Sequence, residues 1–229
     1  MDINTMNVYT FYEPIKNSCN QEEYKKLIDL WKRSWIRQGW NPVMFNLDDC
    51  KKHPLYNEIY EICEKRPTVN NKTFEMYCFL RWLSMADVTG WYCDVDIINY
   101  GFKPIDYGDL VVSSDYVPKI HGTCFYMPKE KYRQLIQEIK DYKIQEDDAH
   151  EIGGVLYPHL SDLIVMSKTK IKIDDYISVH GSYKASPNWE TDLIVHYTTP
   201  CVRIDPLDAG KSRIQIIKED PRSKIFLND

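Results

Sequence analysis

Three observations predict an α/β layered fold with a mostly parallel central sheet. Short apolar stretches rich in β-branched and aromatic residues alternate with amphipathic stretches through the first half of the chain. Gly39 with Asn41-Pro42, then Pro67, then Gly90, punctuate the helical stretches. No internal repeat, low-complexity tract or linker interrupts the sequence, so a single domain over 1–229 is expected.

The elements follow in order. Met6 to Phe11 reads as a first strand, running into a loop at Glu13-Pro14. Residues 21–38 place Tyr24, Leu27, Ile28, Trp31 and Trp35 on one stripe of a helix that Gly39 ends. Val43 to Leu47 suits a short buried strand. Helices are expected over 55–65 and from about Phe74 to Val88, and Trp91 to Ile98 reads as one strand. Further strands are expected at 110–113 and 124–127, then a helix over 129–142. The segment 147–160 is read as helical with an interruption at Gly153-Gly154. Apolar runs follow at 163–166, 177–180 and 193–197, and the last twenty residues read as an arm or loose tail.

Composition narrows the function. Of 229 residues, 43% are hydrophobic and 28% charged, the balance of a folded chain. The formal net charge is -5 and no basic stripe stands out, which argues against a nucleic-acid partner. No run of 18 or more apolar residues suggests a membrane span, and the N-terminus lacks the pattern of a secretory leader, so a cytoplasmic protein is expected. The seven cysteines are scattered and form no CxxC pair, which speaks against a disulfide framework or a zinc site. Asn71-Lys72-Thr73 matches the glycosylation pattern and is read as chance.

The most informative stretch runs from Arg81 to Ile98. A helix carrying Arg81 ends at Gly90, and an aromatic strand then leads into Asp94-Val95-Asp96. Side chains two apart on a strand share a face, so the two acids can converge on one cation beyond the carboxyl end of a sheet. Carboxylate oxygens are hard ligands and favour Mn²⁺ or Mg²⁺. Such a cation suits the phosphates of a nucleotide diphosphate. The plain alternative is an Asp-rich turn at a strand end.

This stretch resembles the Arg-x-x-x-Leu…Gly-Gly-x-Tyr-x-Asp-x-Asp region of GT-A fold DXD sugar-transferase families. These include fungal initiating mannosyltransferases, clostridial toxin glucosyltransferase domains and glycosyltransferases of large algal viruses. The resemblance implies a metal-dependent glycosyltransferase moving a sugar from a nucleotide-diphosphate sugar, UDP-sugar favoured and GDP-sugar possible, to a hydroxyl of an acceptor such as a glycan. Residues 1–100 would then be mainly the nucleotide-binding half and 101–229 the acceptor-binding half. By position, Asp96 would contact the metal, Asp94 the ribose and a metal-bound water, and Arg81 the donor sugar or phosphate. The chain departs from the pattern twice: Thr89 replaces the first glycine, and Cys78 replaces the acid three residues before the Arg.

The same resemblance extends to other positions. His196, in the late apolar stretch Leu193 to Pro200, would be the third metal ligand, with His180 as runner-up. Arg203 would reach the diphosphate. Thr10, Phe11 and Tyr12 would bracket the base, and Asp147 or Asp148 would take the acceptor proton unless they simply cap a helix. Gly122-Thr123-Cys124 would face donor and acceptor, and Trp189 is a candidate carbohydrate platform. Two alternatives stay open. One is a haloacid-dehalogenase-type phosphatase, which also ends a strand in Asp-x-Asp but near its N-terminus. The other is a non-catalytic nucleotide or carbohydrate binder.

Overall fold

The computed structural model describes residues 6–15, 21–104, 111–114, 122–168, 180–182, 193–197 and 211–227. Arg203 and Trp189 lie outside them, and of His180 and Thr123 only the backbone is described.

In chain order the elements begin with β1 (Asn7–Phe11), α1 (Gln21–Arg37), β2 (Asn41–Phe45), α2 (Leu47–Lys51), α3 (Tyr56–Lys65) and α4 (Lys72–Met85). Next come β3 (Gly90–Cys93), β4 (Ile97–Asn99), β5 (Val111–Ser114), β6 (Gly122–Met127) and α5 (Lys129–Asp141). The remainder comprises β7 (Ala149–Ile152), β8 (Val155–Pro158), α6 (Asp162–Lys168), β9 (His180–Ser182), β10 (Ile194–His196), α7 (Arg213–Glu219) and α8 (Lys224–Leu227).

The central sheet has the order β2-β1-β3-β6-β5. Strand β1 pairs in parallel with β2 and β3, while β6 runs antiparallel to both β3 and β5. Strand β5 therefore points the same way as β3, and β6 is the reversed strand in a mostly parallel α/β sheet. Alternation along the strands sorts the core into two layers. Val8, Trp91 and Cys93 face α1, α7 and α8, through Leu27, Trp31, Trp35, Ile217 and Phe226. Tyr9 and Tyr92 face α4, α5 and α6, through Phe79, Trp82, Tyr132, Leu135 and Val165.

Local chemistry explains the boundaries. Glu22 and Glu23 sit in the first turn of α1 and Arg37 in its last, complementing the helix dipole. Gly39, at φ +91°, closes the helix: its N–H reaches the Ile36 carbonyl and that of Trp40 reaches Trp35. Helix α4 starts where the Asn71 side chain accepts from the Phe74 N–H. The asparagine of the glycosylation pattern thus serves as a helix cap.

Three sequence expectations are corrected. The segment 147–160 is a β-hairpin, β7 to β8, because Gly153 (φ +61°) and Gly154 (φ +83°) form a turn whose twist matches paired strands. The stretch from Trp91 to Ile98 is two strands in different sheets: β3 belongs to the central sheet, and β4 pairs with β10 in a second sheet of order β4-β10-β9. The C-terminal segment is no loose tail. Ser212 caps α7 in a capping box with Gln215, and Ile214, Ile216, Ile217 and Phe226 are buried in the core.

Gly90 opens β3 at φ +158°, and a Cβ there would sit 2.8 Å from Tyr9 Cε2. The Tyr9 ring cannot easily yield, since it is buried and stacked on Phe45 at 5.4 Å. Gly90→Ala is predicted to cost about 1–3 kcal/mol in urea unfolding, the usual range for overpacking. A midpoint equal to wild type would show that Tyr9 has room to move.

Candidate metal and donor site

The two acids sit on the connection from β3 to β4, just beyond the carboxyl end of the central sheet. They converge because the chain turns there: the Ile97 N–H bonds the Asp94 carbonyl at 3.1 Å. Strand alternation, the expected cause, does not apply, since Asp94 to Asp96 have left the strand. Two indoles hold the turn from behind, and a third holds the chain just past β4. Trp31 Nε1 donates to Cys93 Sγ at 3.1 Å, Trp35 Nε1 to the Ile97 carbonyl at 3.2 Å, and Trp40 Nε1 to the Phe102 carbonyl at 2.7 Å. Residues 93 and 97 bracket the acidic turn, so α1 fixes both of its ends.

Strand β10 brings His196 to the same place. It pairs antiparallel with β4, with His196 opposite Ile97, and the Tyr197 N–H bonds the Asp96 carbonyl at 2.9 Å. His196 Nε2 then lies 3.4 Å from Asp96 Oδ1. Asp94, Asp96 and His196 each offer one ligand atom, all within 4.8 Å of one another. Two hard carboxylates and an imidazole suit Mn²⁺ or Mg²⁺.

Arg81 lies behind Asp94 on α4 and is buried. Its Nη1 donates to Asp94 Oδ1 at 2.8 Å, and its Nε and Nη2 donate to Asp162 Oδ2 at 3.2 and 2.7 Å. Trp82 Nε1 donates to the same oxygen at 3.0 Å, and the Tyr92 hydroxyl donates to Asp94 Oδ1 at 3.1 Å. Burial alone would lower the Arg81 pKa, but Asp162, Tyr92 and Asp94 drive it well above its usual value, so Arg81 stays cationic.

Asp162 is the residue that the sequence reading missed. It opens α6, and the only signal was a Ser161-Asp162 pair ahead of an apolar run, which reads as a helix start. It places a carboxylate beside the Cys78 thiol. Glu75, Cys78 and Asp162 also bring potential ligand atoms within 4.8 Å. Asp162 is paired with the Arg81 guanidinium, and Glu75 accepts from Asn70 Nδ2 at 2.8 Å, so both acids have partners within the fold.

The two acids of the turn differ electrostatically. Burial pushes the Asp94 carboxyl up, with Arg81 pulling the other way. Burial opposes ionisation of Asp96 too, but His196 beside it and Arg213 hold it below the usual carboxylate range. Asp96 is therefore the more readily charged of the two.

Thr10 and Phe11 end β1 and Tyr12 follows it, next to this turn, because β1 and β3 run parallel with Tyr9 opposite Tyr92. Thr10 is fully buried, and among the described residues its Oγ1 has no hydrogen-bond partner. Phe11 meets Tyr77 edge-on at 6.2 Å, and Tyr12 packs on Tyr24 at 5.5 Å. The acids read as candidate bases are elsewhere engaged. Asp148 accepts from the Tyr142 hydroxyl, the Gln145 N–H and Lys168 Nζ, at 3.0, 2.7 and 2.6 Å. Despite burial, these donors hold its pKa below the usual range, which makes it a poor proton acceptor. Asp147 pairs with Lys168 at 2.8 Å but keeps an exposed side chain. None of these bonds reaches Asp94, Asp96 or His196. Neither acid caps a helix: the hairpin occupies that place.

Comparison with known proteins bears on the fold. A family model described as a domain of unknown function, DUF8765, matches residues 3–92. No curated protein sequence matches the chain. Among solved structures, the apo-form glycosyltransferase GlyE of Streptococcus pneumoniae TIGR4 is similar at 14% identity with a TM-score of 0.54. The likeness covers 98% of this chain and 62% of that one, so the chain spans less than two thirds of its neighbour. The chain has an α/β, GT-A-like fold, similar to that of GlyE. No helix among the described residues is long and apolar enough to cross a membrane.

Glu75 gives the network a pH signature. Burial pushes its carboxyl from 4.5 up to about 7, against hydrogen bonds from Asn70 and Thr68. The folded protein thus binds more protons than the unfolded chain between these values, so stability falls as pH rises through that window. Glu75→Gln is predicted to remove this slope and to be more stable than wild type at pH 8, by about 3 kcal/mol at most. Denaturant midpoints taken from pH 4.5 to 8 check this; parallel curves for the two proteins would contradict it.

Proposed function

We propose that this protein is a metal-dependent glycosyltransferase that moves a sugar from a nucleotide-diphosphate sugar, UDP-sugar favoured, to a hydroxyl of an acceptor glycan. The observation carrying the reading is the convergence of Asp94, Asp96 and His196 from two distant chain segments at the carboxyl edge of a GT-A-like sheet. The fold shared with GlyE supports it at the level of architecture.

In this reading Asp94, Asp96 and His196 hold Mn²⁺ or Mg²⁺. A cation held by these residues would supply positive charge for the phosphates of a departing nucleotide. The protein's own groups orient the donor around that point. Thr10, Phe11 and Tyr12 line the base and ribose side, where the buried Thr10 hydroxyl has a hydrogen bond to give. Arg81 presents fixed positive charge beside Asp94, and Asp162 with Trp82 fixes its fork. Arg203 remains a candidate diphosphate contact. Of the two acids considered as base, Asp147 is carried forward, because Asp148 is saturated with donors.

The phosphatase alternative requires an unencumbered carboxylate as nucleophile. Asp94 Oδ1 is bound by Arg81 and Tyr92, and Asp96 Oδ2 by Arg213, which disfavours it.

Titration calorimetry with UDP, GDP and their sugars, with and without Mn²⁺, tests the proposal. Wild type is expected to bind one nucleotide in a Mn²⁺-dependent manner and to transfer or slowly hydrolyse its sugar. Asp96→Ala should lose metal-dependent binding while keeping its fold. Binding by Asp96→Ala with an unchanged metal requirement refutes the assignment, and donor binding without any turnover by wild type favours the binder alternative.

Mutation of the Arg81 support should separate positioning from folding. Asp162→Asn keeps the shape but weakens the hold on two guanidinium nitrogens. It is expected to lower kcat about tenfold or more while KM for the donor changes less, as for loss of an interaction realised in the transition state. A raised KM with unchanged kcat would mean that Arg81 only binds.

A further inference from the structure

The C-terminal helix α7 sends one buried side chain to the acidic turn. Arg213 opens α7, and its Nη1 donates to Asp96 Oδ2 at 3.1 Å. Its Nε lies 3.7 Å from Glu23 Oε1, and its backbone N–H donates to the same oxygen at 3.1 Å. The guanidinium lies over the Tyr24 ring at 4.8 Å, and Tyr24 in turn packs on Tyr12. A continuous path of contacts therefore runs from the base side of the site, through Tyr12, Tyr24 and Arg213, to Asp96. The segment is also tied to the strand bearing His196. The Tyr197 hydroxyl donates to Asp220 at 3.1 Å, and Tyr100 bonds both Tyr197 and Ser223.

We propose that Arg213 is a resident cation of the donor site, a positioning residue that divides the Asp96 carboxylate between two tasks. It occupies Oδ2, so Oδ1 alone is presented beside His196 Nε2. This inference rests on the donor-site reading above. Two consequences follow from charge. A guanidinium bound to a metal-ligating carboxylate repels a bare divalent cation, because like charges a few ångströms apart interact strongly at a protein's effective dielectric. The same guanidinium attracts a diphosphate, and the metal and nucleotide together restore balance. Arg213 therefore disfavours metal binding before the nucleotide arrives and favours the nucleotide–metal pair. It also makes the C-terminal helix part of the donor site, so donor binding steadies α7.

The test uses the full chain as wild type, Arg213→Met and Arg213→Lys. Three quantities are measured: Mn²⁺ affinity without nucleotide by electron paramagnetic resonance, UDP affinity at saturating Mn²⁺ by calorimetry, and the thermal midpoint. Arg213→Met is expected to bind Mn²⁺ alone roughly three- to tenfold more tightly and UDP roughly tenfold more weakly. Arg213→Lys keeps the charge but not the fork, and should fall between. Opposite movement of the two affinities is a readout that a merely structural residue does not produce. The inference is overturned if both affinities are unchanged, or if both fall in step with the thermal midpoint. Should Arg213→Met fail to fold, Arg213→Lys decides on the same sign rule, and values equal to wild type overturn the inference. A wild type that binds neither Mn²⁺ nor UDP overturns the donor-site reading itself, which distinguishes the two failures.

Discussion

Two carboxylates two positions apart in sequence, Asp94 and Asp96, are held in a tight turn where burial opposes their charge. Neither is tolerable there alone, because a partly buried anion without a partner costs several kcal/mol. Each is met by a guanidinium, one from nearby in the sequence and one from far along it. Arg81 comes from the helix before the strand, and Arg213 from the C-terminal helix. Much of the architecture serves this arrangement. Two indoles of α1, Trp31 and Trp35, hold the turn from behind, β10 pairs beside it to deliver His196, and α6 supplies Asp162 to anchor Arg81.

Such a site trades stability for readiness. A buried ion network is seldom more stable than a well-packed apolar core, but breaking one partner is costly. Here the network keeps the carboxylate oxygens and cationic forks in fixed orientation, which on the proposed function would let a donor carrying two phosphates bind without reorganising the protein. Glu75, beside this network, has its carboxyl pushed up to about 7, chiefly by burial, with the Asp162 charge adding to the shift.

The sequence revealed what depends on local pattern. The stripe of Trp31 and Trp35, the glycine closing α1 and the helix–glycine–aromatic–Asp-x-Asp order all act over short distances. His196 was singled out through the family resemblance, ahead of His180 in a similar late apolar run, and β10 sets it beside the acidic turn. What failed involved longer-range choices. The Gly153-Gly154 pair was taken as a helix interruption, although two adjacent residues at positive φ favour a hairpin turn. The C-terminal segment looked loose because its charges hid a capping box, Ser212 to Gln215, and an apolar face of Ile214, Ile217 and Phe226. Asp162 and Arg213 carry no motif. Their importance comes only from which buried charges they meet across more than eighty residues of sequence.

The most direct test of this account is a crystal of the protein grown with Mn²⁺ and UDP, with the metal located by its anomalous scattering. The account predicts a single strong peak bonded to Asp96, His196 and the diphosphate, with Asp94 in the same coordination sphere or one water away. A peak remote from that turn, or phosphates lodged elsewhere while Asp94 and Asp96 keep only their arginine partners, would contradict it.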